Sequence, residues 1–194
     1  PTAYIEANYR GHKVIPGTYT LKLQVEDTVL ETQATILENP LMDTISDEQF
    51  ASYDQFMSEV EKELTDMHQT VNGLADVHQQ LLKLHEFVKK EELASDIKSL
   101  IDEISAWDEE MVQRKTKAYD DVENFPNKFT AEYLFMINQT DSSIPRVNES
   151  NKERRAELDA KWMILKEQAT QLIEVKIPAM NQKLWKAGIG AIQN

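Results

Sequence analysis

FASYDQFMSEVEKELTDMHQTVNGLADVHQQLLKLHEFV, residues 50–88, decides how this chain folds. Side chains recur at Phe50, Tyr53, Met57, Val60, Leu64, Met67, Val71, Leu74, His78, Leu81, His85 and Val88, in steps that alternate three and four. That is a heptad seam: these positions form one stripe along a helix, and charged and amide side chains fill the other face. Ser46 with Gln49 three residues later is the sequence form of a capping box and starts the helix. Unbroken, it spans roughly 42 residues, or about 60 Å at 1.5 Å per residue. Asn72-Gly73 is the weak point. Gly inside a helix costs about 1 kcal/mol against Ala, so a bend is expected there.

Working outward toward the carboxy terminus, KKEELASD (89–96) carries the reversal, and a second helix follows through Leu93, Ile97, Leu100, Ile104, Trp107 and Met111. The pattern loosens in KAYDDVENFPNK (117–128), where Pro126 and the residue before it, Phe125, disfavour helix. A shorter helix, roughly 127–140, carries Tyr133, Leu134, Met136 and Ile137. After the loop TDSSIPRVNES (140–150), Asn148 or Ser150 caps a last long helix through Leu158, Trp162, Leu165, Ala169 and Leu172. Pro178 removes a donor and is expected to kink or restart it. Trp107, Tyr133, Trp162 and Trp185 are expected in the core, and GIGAIQN (188–194) as terminal coil. Matching seams joined by short reversals predict an antiparallel helical bundle folded within one chain, with left-handed packing. The rival architecture is a free coiled-coil dimer.

Toward the amino terminus the period changes. In VIPGTYTLKLQV (14–25), Tyr19, Leu21, Leu23 and Val25 alternate with polar residues after a Pro16-Gly17 turn. VLETQATIL (29–37) is a second β-rich run, so a hairpin is predicted. Composition shifts at ENPLMDTISDEQF (38–50), which divides the chain into a β-hairpin segment, 1–40, and a helical bundle, 41–194. The predicted class is mainly α. A lone two-stranded hairpin is marginal in water, so this one is expected to be the remnant of a β-sandwich in a longer protein. Position 1 is Pro and no signal peptide follows it, as expected for a chain processed or cut upstream.

The chain has 34 acidic against 21 basic residues, a net charge of −13. That excess argues against nucleic acid and against anionic membrane surfaces as partners. No apolar run approaches a membrane span. With no cysteine, disulfides, thiolate metal sites and cysteine nucleophiles are excluded together. His78 and His85 lie seven apart on one face, which raises a metal site between helices. Di-iron bundles need Glu-x-x-His, yet Thr65, Ala75 and Leu82 stand three residues before His68, His78 and His85. These histidines read as packing residues that make one polar contact. Ser95–Lys98 matches Ser-x-x-Lys without its companion motifs. No phosphate-binding loop or nucleophile elbow accompanies the five glycines. The expectation is therefore no catalytic, cofactor-binding or metal residue in this chain. Sequons stand at Asn138 and Asn148.

Three segments together carry a family likeness: YRGHKVIPGTYTLKLQVEDTVLETQATILENP (9–40), ENFPNKFTAEYLFMINQTDSSIP (123–145) and ERRAELDAKWMILKEQATQLIEVKIPAMNQKL (153–184), with its late Asn181. The first resembles the closing strands of an FlgD-like or immunoglobulin-like sandwich. Together they resemble the carboxy-terminal region of bacterial sortilin-like or BNR-repeat β-propeller proteins, often labelled glycosyl hydrolases. The resemblance implies an exported, extracytoplasmic protein whose partners are an upstream propeller and sandwich of the same chain. The Asp-box pattern occurs nowhere here, so any glycosidase carboxylates would lie upstream. The expected role is a non-catalytic accessory or structural region. The alternatives are a protein-interaction or dimerisation module whose seam a second chain completes, and a metal-binding bundle enzyme.

Overall fold

The computed structural model of the protein describes residues 11–41 and 45–193. Tyr9 and Arg10 of the family likeness, residues 42–44 of the segment boundary and Asn194 lie outside the described residues. The bundle is built from α1 (Asp47–Phe87), α2 (Glu91–Met111), α3 (Phe129–Asp141), α4 (Glu149–Thr170) and α5 (Ile177–Lys186), preceded by β1 (Gly17–Val25) and β2 (Thr28–Ile36). Helices α1 and α2 are antiparallel across a three-residue turn, so His78 meets Ser105. Helix α3 continues downward beyond α2 and ends where Asp141 reaches Tyr53 of α1. Helix α4 then runs parallel to α1: Arg155 pairs with Glu59, Trp162 with Glu63 and Lys166 with Asp66. The result is an up-down-up bundle of three rods: α1, the broken rod α2–α3, and α4–α5.

Local chemistry sets each boundary. The Ser46–Gln49 capping box forms in both directions and starts α1. Helix α1 then continues through Asn72-Gly73 without interruption. The helix persists through the glycine because Val71, Leu74 and Val77 bury on both sides of it, and their packing outweighs its propensity cost. The reversal is shorter than expected, Val88–Lys90, with α2 starting inside the 89–96 stretch. Asn148, not Ser150, caps α4; its Oδ1 accepts from the Asn151 N–H at 2.8 Å.

Pro178 acts as expected but one turn early. Residues Gln171–Lys176 widen into a π turn, where the Ile177 N–H donates to Leu172, and α5 restarts with Pro178 in its first turn. Helix α5 ends in a Schellman motif. Gly188 takes φ +73°, Ile189 donates to the Leu184 carbonyl and Gly188 to that of Trp185. Beyond it, the expected terminal coil folds back and is held. Asn181 pairs with both backbone groups of Ile192, and Gln80 with both of Gln193. Ile192 is buried as a result.

The core is the seam, with one slip. Tyr53, Met57, Val60, Met67, Val71, Leu74 and Leu81 are wholly buried, whereas Leu64 is half-buried at the edge. At the next step Val77 enters the core in place of His78. A straight helix drifts from a strict seven-residue repeat, and here the drift brings a purely apolar side chain inward. The seam is closed by α2 and α3 of the same chain. Trp107, Tyr133 and Trp162 are buried as expected, but Trp185 is 80% exposed. Ile177, Met180 and Leu184 define the buried face of α5, and Trp185 stands one residue past it.

Candidate interaction surface

The hairpin contrasts with this core. Strands β1 and β2 pair antiparallel in a simple register, Gly17 opposite Ile36 through to Val25 opposite Thr28. Residues directly opposite share a face, so Tyr19, Leu21, Leu23, Val25, Leu30, Ala34 and Ile36 form one mainly apolar side, together with Thr28 and Thr32. Thr18, Thr20, Lys22, Gln24, Val29, Glu31, Gln33 and Thr35 occupy the other, with Lys22 and Glu31 paired at 2.7 Å. Among the described residues no layer covers this side: Tyr19 and Ala34 are half-buried, and Leu21, Leu23, Val25 and Leu30 are each more than half exposed. Among the described residues the sheet has two strands, so both outer edges lack a ladder partner. The two-residue loop places Glu26 at φ +53°, the positive value that primed hairpin turns need at their first central position.

A clamp fastens the stem of this hairpin to the bundle. The His12 backbone N–H donates to Glu61 Oε1 at 2.7 Å. Its ring nitrogens each face a carboxylate, Nδ1 at 2.9 Å from Glu61 and Nε2 at 3.1 Å from Asp54. The ring also meets Tyr53 edge-on, with centroids 5.9 Å apart. Next along the chain, Lys13 donates its backbone N–H to Asp141 Oδ1 at 2.8 Å and its Nζ to the Asp141 carbonyl at 3.0 Å. Tyr53 donates to the same Oδ1 at 2.6 Å. Ile15 packs on the core, and its carbonyl accepts from the Tyr19 hydroxyl at 2.6 Å. Residues 12–15 are thus fastened to α1 and α3, and the strands project beyond them.

Electrostatics favour a charged His12. Burial alone would lower its proton affinity, but the bonds to Glu61 and Asp54 outweigh it and hold the imidazole above its ordinary range. Tyr53 is pushed well up, first by burial and then by its bond to Asp141. The two carboxylates lie on opposite ring nitrogens, an arrangement that cradles a proton pair and gives no common point for a metal. Among the described residues, no group of three or more His, Asp or Glu side chains is arranged to hold a metal ion.

The residues singled out from sequence lie elsewhere. His78 Nε2 and Ser105 Oγ share a hydrogen bond of 3.0 Å in a groove that Asp108 and Arg114 also line. Both stand inside long helices, whose backbone N–H groups are used within the helix and are not free to act as oxyanion donors beside the serine. His68 and His85 are half-buried at other levels of α1. Ser95 is exposed, and Lys98 pairs with Asp102 at 2.5 Å. Asn148 is used as a cap and Asn138 is exposed. His12 carries no local motif. Its partners are 42 and 49 residues away, so only the fold reveals it.

Compared with protein-family models, curated proteins and solved structures, the chain matches none. Among the described residues, no helix is long and apolar enough to cross a membrane.

Proposed function

We propose that this chain is a non-catalytic accessory region in which a rigid three-rod bundle supports a hairpin that completes a larger β-sheet. One observation carries this reading: among the described residues the hairpin keeps a mainly apolar side exposed, with both edges unpaired, while the bundle beside it buries its own seam. Two strands alone are marginal in water, and a sheet face stabilises when another layer covers it. On the likeness described above, the added strands belong to a β-sandwich of the same exported polypeptide, downstream of its propeller. The bundle then acts as a spacer or cap on that sandwich.

The rival is a protein-interaction or dimerisation module, and here the hairpin, not the helical seam, is its contact surface. Backbone hydrogen exchange in the protein from the complete reading frame, compared with residues 1–194 alone, separates the two. Protection of hairpin amides only in the longer protein supports the accessory reading. Equal exchange in both overturns it. Sedimentation at several concentrations covers the rival: mass-action dimerisation of residues 1–194, with hairpin protection that rises alongside it, would replace the proposal with an interaction module.

A further inference from the structure

The His12 clamp does more than hold the stem. We propose that it is a pH-dependent latch: His12 as imidazolium fixes the hairpin's direction against α1, and deprotonation loosens that hold so that the hairpin swings on the remaining contacts, the His12 backbone bond to Glu61 and those of Lys13 and Ile15. This inference is independent of what covers the apolar side of the hairpin.

The geometry makes the argument. Both ring nitrogens of His12 face carboxylate oxygens, Glu61 at 2.9 Å and Asp54 at 3.1 Å. Carboxylates accept and do not donate, so both bonds form only when both nitrogens carry protons. A neutral ring keeps one N–H and turns a lone pair toward the other carboxylate, which converts an attraction into a repulsion. The surrounding groups are Tyr53, Asp54 and Glu61 from α1, Asp141 from α3, and Lys13 from the stem itself. His12 is the only histidine at the junction, and histidine is the side chain that ordinarily titrates between pH 5 and 8. His12 ties the stem to α1, whereas Lys13 ties it to α3. Deprotonation leaves the His12 backbone bond to Glu61 and the Lys13 bond to Asp141 in place, and removes one of the two ring bonds that fix the stem's angle between them.

The sign follows from linkage. The latched form holds the His12 proton more tightly than the free ring, whose ordinary midpoint is 6.5. The contribution of the latch is therefore complete below about 6.5 and is lost as pH rises through the higher, latched midpoint. Each unit by which that midpoint exceeds the ordinary one corresponds to about a tenfold larger latched-to-loose ratio in acid than in base.

The test is nuclear magnetic resonance on residues 1–194 between pH 5.5 and 8.5, reading the His12 ring nitrogens and the order parameters of hairpin amides together. The expected result is hairpin order near that of the bundle at low pH, about 0.85. It should fall toward about 0.6 as His12 deprotonates, while bundle amides stay rigid. His12→Gln should give the loose values at both ends of the range. Asp54→Asn keeps the fold if His12→Gln does not, and should lower the His12 midpoint and move the order transition with it. Hairpin order that does not change across the His12 titration overturns the latch, as does a His12 midpoint at or below 6.5.

Discussion

The hairpin and the bundle carry similar apolar patterns and meet opposite fates. In α1 every third or fourth residue is apolar, and that stripe is buried from Phe50 to Leu81. In the hairpin every second residue of β1 is apolar, and that side stands in solvent. The difference lies in what each element needs for cover. A helix buries one stripe, and a neighbour reached through a three-residue turn supplies the second surface. A sheet buries a face, and two strands supply one face with no layer opposite it. Between the two regions lies a polar junction of His12, Lys13, Tyr53 and Asp141, where directed hydrogen bonds do what apolar packing does elsewhere. Apolar pattern alone therefore does not predict burial; the number of layers within reach decides it.

The widest gap between the regions should appear on truncating apolar side chains. Leu74→Ala or Leu81→Ala removes a wholly buried side chain and should cost about 2 to 5 kcal/mol. Leu23→Ala, at 59% exposure, should change stability by no more than about 0.5 kcal/mol. Denaturant midpoints of the three variants measure the contrast. Equal shifts would show that the hairpin is covered in solution and would break the comparison at its base.

A smaller effect is expected on removing the hairpin altogether. Deletion of residues 1–38 takes away the His12, Lys13 and Ile15 contacts but none of the seam. The loss should be at most about 3 kcal/mol, the scale of one or two charge-assisted hydrogen bonds after the entropy of ordering the stem. Helical circular dichroism and a single cooperative melt should survive. Their disappearance would make hairpin and bundle one folding unit.

Within the bundle, Tyr133 sharpens the comparison from the polar side. Its ring is wholly buried and its hydroxyl donates to Asp159 at 2.9 Å, while Arg155 holds the same carboxylate at 3.2 Å. Tyr133→Phe keeps the packing and leaves Asp159 its arginine, so the cost should be about 1 kcal/mol in a chemical melt. A cost as large as that of Leu74→Ala would mean that hydrogen bonding, not apolar packing, dominates this layer.

How much of this was legible in the sequence differs between packing and placement. The seam, the capping box and the existence of the hairpin follow from period and turn chemistry, which are local; its register does not, because Thr28 pairs with Val25 in β2, one residue before the second run read from sequence. His78 was assigned to the seam because strict three-four alternation lands there. Val77 is the better core residue, and its apolar neighbour Leu74 three residues earlier was the available signal. Trp185 stands near the apolar spacing, which is why it reads as core, yet Met180 and Leu184 mark a face that excludes it. The π turn before Pro178 and the amide clasps of Gln80 and Asn181 needed the rods to be in place first. The His12 clamp is the extreme case, because a histidine and two carboxylates spread over 49 residues leave no periodic trace.

The smallest expected effect tests whether the two regions unfold separately. Glu26 sits at φ +53°, where a non-glycine residue is strained by about 1 kcal/mol. Glu26→Gly removes that strain but adds freedom to the unfolded chain, which offsets about half of it, so the net gain should be about 0.5 kcal/mol. In a molecule whose hairpin opens on its own, the gain appears only in local opening: exchange of amides on β1 and β2 should slow by about twofold. The global denaturant midpoint should stay where it is, because the bundle seam does not include the turn. A midpoint that rises by the same free energy would mean that the strands open only when the helices do, and the contrast between an open hairpin and a closed bundle would then describe exposure but not stability.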